Sequence, residues 1–492
     1  MNAIGNEPHK VSVVKTNHAE YPNKRTLFRP GERYPEYPFE EISQEANEVY
    51  DAVRQAFQLM GFDKEAFGTK DWNPLKEIIK PGNTVLIKPN MVMDVNGIPE
   101  QGTECLYTHP SVVAAVVDYV VIALQGKGKI VIGDAPMQEC KFERLLAESG
   151  YSELKKFYRD HQIEIEVVDF RELKSEVKGN VHYAAINENA SGRVVDLGEH
   201  SEFAVRDPDT LKKMRVTNYD PSIMMMHHNE NRHEYYVSEY VLNADVIINM
   251  PKPKTHRKAG VTIALKNFVG INVRKEFLPH HTKGSTKEGG DEYSEKCAIH
   301  RLRSYLLDKR NIWQANRQYW AAHLVMFLVR GCSAYLKLVR NKYSEGSWYG
   351  NHTISKTIAD LNKIVLYADK QGILRENKQR KMLIVADLII SGEKEGPVCP
   401  SAKEVAMVAA GSDIVCFDEV IATLMGFDVE KIPTIKGIRE IKSRYAVAED
   451  TSKAVIVSNI GAYDGKTYEQ INKEETLQYE PTSGWKGHIE LI

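Results

Sequence analysis

Residues 241–274 read VLNADVIINMPKPKTHRKAGVTIALKNFVGINVR, and the rest of the chain is organised around them. The run DVIINM is short, apolar and rich in β-branched residues, which predicts a buried strand. Pro251 and Pro253 end this strand, because proline donates no N–H to a sheet and restricts its own backbone. The stretch therefore predicts a strand that stops abruptly at a polar loop.

The loop is rich in cations and leads into a second regular segment. Gly260 opens VTIALKNFV, which we interpret as a short helix that ends at Gly270 and carries Thr262 and Lys266 on one face. A strand followed by a basic loop and a helix N-terminus is a common anion site in α/β proteins. The alternative is a solvated surface turn. The polar residues of the loop are Lys252, Lys254, Thr255, His256, Arg257 and Lys258.

Residues 81–170 alternate between strand and helix patterns. The strand TVLIK ends at Lys88, an apolar helix follows Ser111, and the next strand ends at Asp134. This rhythm predicts an α/β fold with a mostly parallel sheet and helices on both faces. Ligands of such sheets bind at the carboxyl ends of the strands. The polar residues at these ends are Lys88, Asn90, Thr108, His109 and Asp134.

The remaining patterns predict two insertions into this fold, one β-rich and one helical. The predicted segments are 1–80, an N-terminal strand and helix; 81–170, a first α/β part; 171–240, the β-rich insertion; 241–295, the central strand, loop and helix with a lid; 296–350, the helical insertion; 351–464, a closing α/β part; and 465–492, a tail.

The composition limits the classes of function. The 492 residues carry a formal net charge of −2, which gives no global argument for binding nucleic acid. The six cysteines include no Cys-x-x-Cys pair, which argues against a zinc ribbon, a ferredoxin-type cluster or a disulfide framework. The first residues lack an apolar signal segment, so we expect a cytoplasmic protein.

The helical insertion contains a stretch, residues 313–343, that mixes aromatic, apolar and basic side chains. Arg330 and Gly331 interrupt its apolar run, which argues against a membrane span. Three roles stay open for this stretch: ordinary internal packing, a peripheral membrane contact through an amphipathic helix, and a dimer contact.

Several motifs occur in an order that is typical of one family: KPNMV, THPSVVAAVVDYV, VIGDAP, PKPKTH…LKNFVG, DLIISGEKEGP and AAGSDIVCFDEVIATLMG. Over roughly residues 80–460 the chain resembles the domain of unknown function 362 family, often labelled uncharacterised iron–sulfur centre proteins. The resemblance implies an α/β fold and no particular activity. Many members carry a ferredoxin-like Cys-x-x-Cys segment, which this chain lacks, so no iron–sulfur cluster is expected.

The cations at the predicted strand ends point to an anionic ligand. Lysines beside a helix N-terminus suit phosphate or carboxylate groups. His256 is a natural general acid or base, because imidazole titrates near neutral pH, and its alternative role is to bond the backbone of its own loop. We predict catalytic roles for Lys254, His256 and Lys266. We predict substrate-binding roles for Lys88, Asn90, Thr108, His109, Lys252, Thr255, Asn267 and His281.

Acidic residues in several separate loops predict one divalent metal. Oxygen ligands suit Mg²⁺ or Mn²⁺, which would offset substrate charge and act as a Lewis acid. For each acid taken singly, the alternative is a helix cap or an ion pair. The predicted metal ligands are Asp134, Asp360, Asp387 and Glu393.

These features predict an enzyme that acts on a phosphorylated or carboxylated small molecule, or a glycan precursor, by metal-assisted group transfer. The chain contains neither a Walker loop nor a GxGxxG loop. One alternative is a metal-dependent isomerase or redox protein with His109, His256 and His281 as ligands. Another is a non-catalytic ligand- or membrane-associated binding protein that docks through residues 313–343. No nucleic-acid partner is expected, because the aromatic residues do not interleave with a basic stripe.

Overall fold

A computed structural model describes residues 9–341, 343–448 and 453–492. Within them, one sheet of ten strands dominates, and three smaller sheets lie outside it. The strands are β1 Lys10–Lys15, β2 Thr84–Pro89, β3 Lys129–Asp134, β4 Ile165–Asp169, β5 Leu173–Lys178, β6 Val181–Ile186, β7 Gly192–Asp196, β8 Met214–Arg215, β9 His228–Asn229, β10 Arg232–Ser238, β11 Val246–Met250, β12 Lys254–His256, β13 Gly260–Thr262, β14 His281–Thr282, β15 Lys381–Glu395, β16 Cys399–Gly411 and β17 Val455–Ser458.

Helices connect the strands and cover the large sheet. They are α1 Glu48–Leu59, α2 Pro110–Leu124, α3 Phe142–Ser149, α4 Tyr151–Asp160, α5 Pro208–Lys212, α6 Pro221–His227, α7 Glu239–Asn243, α8 Ala264–Asn267, α9 Ala298–Ala315, α10 Tyr319–Leu338, α11 Thr353–Tyr367, α12 Ile414–Leu424 and α13 Pro433–Arg439.

The large sheet runs in the order β17, β1, β16, β15, β11, β2, β3, β4, with the short pair β12 and β13 attached to β15. The strands β15, β11, β2, β3 and β4 are parallel, whereas β16 is antiparallel to both of its neighbours. The predicted α/β fold with a mostly parallel sheet is confirmed.

Side chains of the central strands alternate between the two faces of the sheet. Leu86 packs into a core with residues of α11 and α12. Val85 packs into a second core with residues of α1 and α2. Lys88 lies two residues after Leu86 and therefore on the first face. Asp387 lies between Val385 and Ile389, which both pack into the second core, so Asp387 lies on the second face. Helices therefore lie on both faces, as predicted, and the polar strand ends divide between them.

The predicted helix over VTIALKNFV is wrong in its first part. β12 and β13 form a tight hairpin, so Thr262 lies in a strand and shares no helix face with Lys266. Gly260 closes the turn in a left-handed conformation, with φ of 77°, which glycine adopts without strain. Helix α8 begins only at Ala264, whose N–H donates to the Asp418 carboxylate at 2.8 Å. This cap lies 154 residues further along the chain, so the local pattern does not reveal it.

The Gly- and Pro-containing sequence SGEKEGPVCP, residues 391–400, is typical of a loop but forms a hairpin of two long strands. β15 continues to Glu395 and β16 begins at Cys399. Glu393 lies opposite Ser401 in this ladder rather than in a loop over the site. The first proline of this sequence, Pro397, lies in the turn, where no ladder hydrogen bond is needed, and the second, Pro400, lies at the start of β16 opposite Lys394.

Two regions project from the large sheet. Residues 171–240 contain β5 to β10 in small sheets, and α9 and α10 form a helical hairpin that packs against β6. Among the described residues, α10 is the one helix that is long and apolar enough to cross a membrane by length and composition. A third of its apolar window, 33%, is buried within the fold. The boundaries of the predicted segments remain predictions.

Candidate functional site

A buried ion pair lies at the carboxyl ends of β2 and β3. Lys88 Nζ is 2.8 Å from Asp134 Oδ1, and the two side chains are 0% and 4% exposed. The other oxygen, Asp134 Oδ2, accepts the N–H of Met91 at 2.6 Å. Burial lowers the pKa of Lys88, and the attraction of Asp134 opposes that shift. The fold itself therefore balances the charge of Lys88.

Gly270 gives this ion pair its space. A Cβ on Gly270 would lie 1.9 Å from Asp134 Oδ1 and 2.9 Å from Lys88 Nζ. The carbonyl of Gly270 accepts the N–H of Ala135 at 2.8 Å, which holds the two backbones together. Only a residue without a side chain fits at this position.

Gly270→Ala is expected to destabilise the fold by about 2 kcal/mol, because the added methyl group forces the buried ion pair apart. The matched control is Gly437→Ala in α13, where no heavy atom lies within 4 Å of the new Cβ. That variant should be neutral or more stable by up to about 1 kcal/mol. Urea midpoints measure both effects, and equal midpoints for the two variants would contradict the packing argument.

Three asparagines connect the strand ends through their amide groups. Asn267 Nδ2 donates to Asn249 Oδ1 at 2.7 Å and to the Lys88 carbonyl at 3.1 Å. Asn267 Oδ1 accepts from Asn90 Nδ2 at 3.1 Å and from Lys88 Nζ at 3.2 Å. Asn90 Oδ1 accepts from Lys254 Nζ at 2.9 Å. The network brings together four of the predicted site residues and fixes the orientation of each amide.

Thr108 and Lys254 attach the loop after β2 to this network. The Thr108 hydroxyl donates to the Met250 carbonyl at 2.6 Å and accepts the N–H of Asn90 at 2.9 Å. Lys254 Nζ also donates to the Leu106 carbonyl at 2.6 Å. Burial lowers the pKa of Lys254 to about 7. Both side chains hold backbone segments in place, and neither is free to rotate toward a ligand.

Lys252 belongs to a separate cluster on the other face of the sheet. Its Nζ lies 2.9 Å from Asp387 Oδ2, with both side chains 0% exposed. Asp387 also accepts the Tyr21 hydroxyl at 2.7 Å and the N–H of His109 at 2.8 Å. The His109 ring stacks on Tyr21 at 3.9 Å, and burial followed by repulsion from Lys252 lowers its pKa well below 6.5. The polar groups of this cluster bond to one another and are buried, so the cluster has a structural role.

Four lysines near the asparagine network form no ion pair with a carboxylate of any described residue: Lys254 and Lys258, which are buried, and Lys266 and Lys275, which are partly buried. Lys258 Nζ donates to a threonine hydroxyl and Lys275 Nζ to backbone carbonyls. Lys266 Nζ bonds to none of the described residues. Burial first, and then repulsion from Lys275 and Lys88, lowers the pKa of Lys266 to about 7. Among the described residues, no carboxylate forms an ion pair that would balance the positive charge of these four lysines.

Two imidazoles line a cavity of about 100 Å³ beside these lysines, together with Lys258 and Lys275. His256 Nδ1 accepts the N–H groups of Lys258 and Ala259 at 3.0 and 3.1 Å, so its Nε2 carries the proton. His280 Nδ1 donates to a backbone carbonyl at 2.7 Å, so its Nε2 keeps a free lone pair. Burial lowers the pKa of both rings, with Lys266 contributing to each shift. The cavity thus offers one neutral donor and one neutral acceptor.

This cavity adjoins two larger ones. A cavity of about 500 Å³ shares Glu139, Thr217 and Asn218 with it and is walled on one side by α9 and α10. A cavity of about 270 Å³ shares Thr217, Arg257 and Lys258 with it. The two imidazoles, Lys258 and Lys275 therefore border a small cavity that adjoins two larger ones.

The four predicted metal ligands do not form one site. Asp134 and Asp387 belong to the two lysine pairs on opposite faces. Asp360 accepts the hydroxyls of Ser201 and Tyr235, which are residues outside the cluster. Glu393 pairs with Lys403 at 3.1 Å on the hairpin arm. Each of the four acids therefore has its own set of partners. Glu393 lies in the β15–β16 hairpin and not in a loop beside the other three.

Two further predicted ligand-binding residues have other contacts, and the histidine alternative lacks a cluster. Thr255 donates to the Lys394 carbonyl at 2.8 Å, away from the cavity. His281 lies in β14, buried, with Nδ1 unpaired. In the part of the chain that the structure describes, no group of three or more His, Cys, Asp or Glu side chains is arranged to hold a metal. His109, His256 and His281 accordingly do not converge.

Sequence reasoning missed Asn249, Lys275 and His280 as parts of the site. Asn249 interrupts the apolar run VIINM, and this polar residue inside a buried strand was the available signal. Lys275 lies five residues after Gly270 in a polar segment with no distinguishing pattern. His280 was visible as a pair with His281, but only the fold shows which ring faces the cavity.

The site residues lie within a region that matches a known protein family. The family model described as Domain of unknown function (DUF362) matches residues 85–190 and 202–423. The chain belongs to this family. The matched residues include the motifs noted above and the lysine and asparagine network around Asp134.

One curated relative is a thylakoid-associated protein of Synechocystis sp., 28% identical over 193 residues. The match covers 39% of this chain and 40% of that protein, so the two share well under two thirds of their lengths. No solved structure matches this DUF362 protein. The predicted cytoplasmic location stays a prediction.

Proposed function

We propose that the protein is an enzyme that acts on a small phosphorylated or carboxylated molecule bound beside the carboxyl ends of β2 and β11. The observation that carries this proposal is a group of two buried and two partly buried lysines that form no ion pair with a carboxylate of the described residues. Burying an ammonium group without a counter-charge is unfavourable, which is why the pKa values of these lysines fall to between about 7 and 8.

An anionic ligand would supply the missing negative charge. Lys266 is the natural anchor, because its Nζ bonds to none of the described residues and part of its surface is accessible. Lys258 and Lys275 border the adjoining cavity and add positive potential around it. Once an anion is bound, attraction would raise the pKa of Lys266 and restore its full charge.

The two imidazoles support acid–base chemistry on such a ligand. His256 Nε2–H can donate a hydrogen bond to the ligand and His280 Nε2 can accept one, and a bound anion would raise the lowered pKa values of both rings toward the range that suits proton transfer. Group transfer is the reaction class that this proposal favours, since the lysines stabilise negative charge and the chain lacks a GxGxxG loop. Mg²⁺ or Mn²⁺ would then enter with the anionic group of the substrate, as it does in many phosphate sites.

A ligand screen tests this proposal directly. Phosphorylated and carboxylated metabolites are added to the purified protein, with and without Mg²⁺ or Mn²⁺, and the unfolding temperature is recorded. A true ligand at about one hundred times its Kd should stabilise the fold by about 3 kcal/mol. Compounds that stabilise are then followed by NMR for turnover. Neutral analogues that stabilise as strongly as the anions would refute the anion site.

The binding of an anion should weaken as the pH rises above about 7, because Lys266 loses its proton there. Sulfate is a suitable probe, since its own charge does not change in this range. Its affinity is expected to fall by about tenfold for each pH unit until the lysine is neutral. Isothermal titration between pH 6 and pH 9 measures this, and a flat profile would contradict the assignment.

The same shift predicts how the unliganded protein responds to pH. Lys266 has a pKa of about 7 in the fold against 10.5 in its ordinary state. Between these values the unfolded chain binds more protons than the native state, so stability should rise with pH across this interval. Below pH 7 both states are protonated and the lysine exerts its full destabilising effect.

A further inference from the structure

The hairpin of α9 and α10 presents an apolar stripe to solvent. Trp320, Phe327 and Leu338 are 77%, 74% and 81% exposed. The stripe follows helical spacing along one side of α10, with six large side chains that are all at least half exposed: Trp320, Leu324, Phe327, Leu328, Tyr335 and Leu338. Isolated exposed apolar residues are ordinary, but a continuous row of this length marks an interaction surface.

The opposite side of α10 is fixed in the fold. Ala322, Val325, Met326 and Val329 pack against α9 and against Val181 of β6. To cross a bilayer, α10 would have to leave these contacts. The helix is therefore placed to lie along a surface with its stripe outward.

Positive charge surrounds the apolar stripe. Residues 296–341 contain nine lysines and arginines against one acid, a net charge of +8 in a chain whose total is −2. The acid, Asp308, already pairs with Arg215 and Lys283 at 3.1 and 2.6 Å. The exposed cations along α10 and at its ends are Arg317, Arg330, Lys337 and Arg340. Arg301 and Arg303 pair with Glu288 and Glu345. The four exposed cations form no ion pair with a described residue, so the surface combines exposed aromatic residues with a local excess of positive charge.

We propose that this face docks the protein onto the surface of an anionic lipid bilayer. The apolar side chains enter the boundary between headgroups and acyl chains, and the flanking cations contact the negative headgroups. Tryptophan and tyrosine favour this boundary, where one part of the ring is apolar and the other is hydrated. A second copy of the chain is a poorer partner, because two such faces would bring like charges together. The inference is independent of the proposed anion site.

Vesicle flotation with the full-length protein tests the docking surface. The wild type should bind phosphatidylcholine vesicles that contain phosphatidylglycerol and bind vesicles of phosphatidylcholine alone much more weakly. Added salt should release it from the anionic vesicles. The double variant Trp320→Glu with Phe327→Glu should lower the partition coefficient by about tenfold or more, since it removes two aromatic anchors and adds negative charge.

The control is Val205→Glu, which changes an 86% exposed apolar residue outside the hairpin. It should bind vesicles as the wild type does, and melting curves should be alike for all three proteins. Failure of the wild type to bind anionic vesicles would overturn the proposal. Resistance of the bound protein to alkaline carbonate extraction would also overturn it, because such resistance indicates a membrane span. A third contradicting result is a wild-type dimer that binds no vesicles and that the double variant converts to a monomer. Equal loss of binding in Val205→Glu would also overturn it.

Discussion

Lys266→Met is expected to abolish the stabilisation by anionic ligands while leaving the unliganded fold as stable as before, or more stable. Lys266 Nζ has no hydrogen bond or ion pair with the described residues, so its removal breaks none. Burial lowers the pKa of Lys266 to about 7, which means that the charged form of this side chain destabilises the fold at neutral pH. A methionine of similar length removes that cost and keeps the packing of the stem.

The expected loss of affinity is about ten- to a hundredfold, which corresponds to one hydrogen bond between charged groups. Isothermal titration with sulfate, together with melting temperature in the absence of ligand, measures both parts. Lys266→Arg should retain sulfate binding and show a weaker pH dependence between pH 7 and pH 9, because arginine keeps its proton while Lys258 and Lys275, with pKa values of about 8, still titrate.

Lys356→Met is the matched control, since burial also lowers the pKa of Lys356, whose Nζ donates to the Glu202 carbonyl at 2.8 Å. This lysine lies outside the cluster and its loss should not change sulfate binding. Unchanged sulfate affinity in Lys266→Met would show that another group anchors the anion. A marked loss of stability in the same variant would show that Lys266 has a structural role.

Lys252→Met is expected to destabilise the protein by about 3 to 5 kcal/mol, because it leaves Asp387 buried without its cation. The sequence pattern suggested a substrate-binding role for Lys252. In the fold, however, Lys252 and Asp387 are 2.9 Å apart and both 0% exposed, and Tyr21 and the N–H of His109 complete the contacts of the carboxylate. Denaturant unfolding measures the loss.

The control for this variant is Lys129→Met, which breaks a pair with Glu166 in which the side chains are 47% and 34% exposed. Exposed pairs contribute at most about 1 kcal/mol, so this variant should unfold near the wild-type midpoint. If Lys252→Met kept the wild-type midpoint and lost the response to ligands, the substrate-binding role would be restored and the structural one refuted.

Much of the candidate site was predictable because it lies at strand ends. Lys88, Asn90, Lys254 and Asn267 each follow or adjoin an apolar run, and the parallel sheet brings their side chains into one network. What the pattern did not reveal was which lysines are balanced. Lys252 and Lys254 are separated by one residue, yet Lys252 pairs with a carboxylate, whereas Lys254 pairs with none in the described part of the chain.

The predictions that were wrong have a common physical cause. In each, contacts with residues far along the chain decided the secondary structure of a segment whose local sequence favours another. Asp418, in a helix far along the chain, caps the start of α8 at Ala264, and the pairing of β12 with β13 holds the preceding residues in a strand. The antiparallel pairing of β15 with β16 extends a Gly- and Pro-rich stretch into a ladder and carries Glu393 away from Asp134. Neither partner lies within the sequence window that a periodicity argument uses.

The sequence by itself determined the α/β class, the central strand and the identity of the cationic motif, because apolar periodicity and proline positions act locally. The tertiary structure alone decided that the polar strand ends divide between two faces and that Lys266 Nζ bonds to no other residue of those described. It also decided that one side of α10 is buried and the other exposed. Burial and pairing are properties of residues brought together from distant positions, so they appear only when the chain is folded.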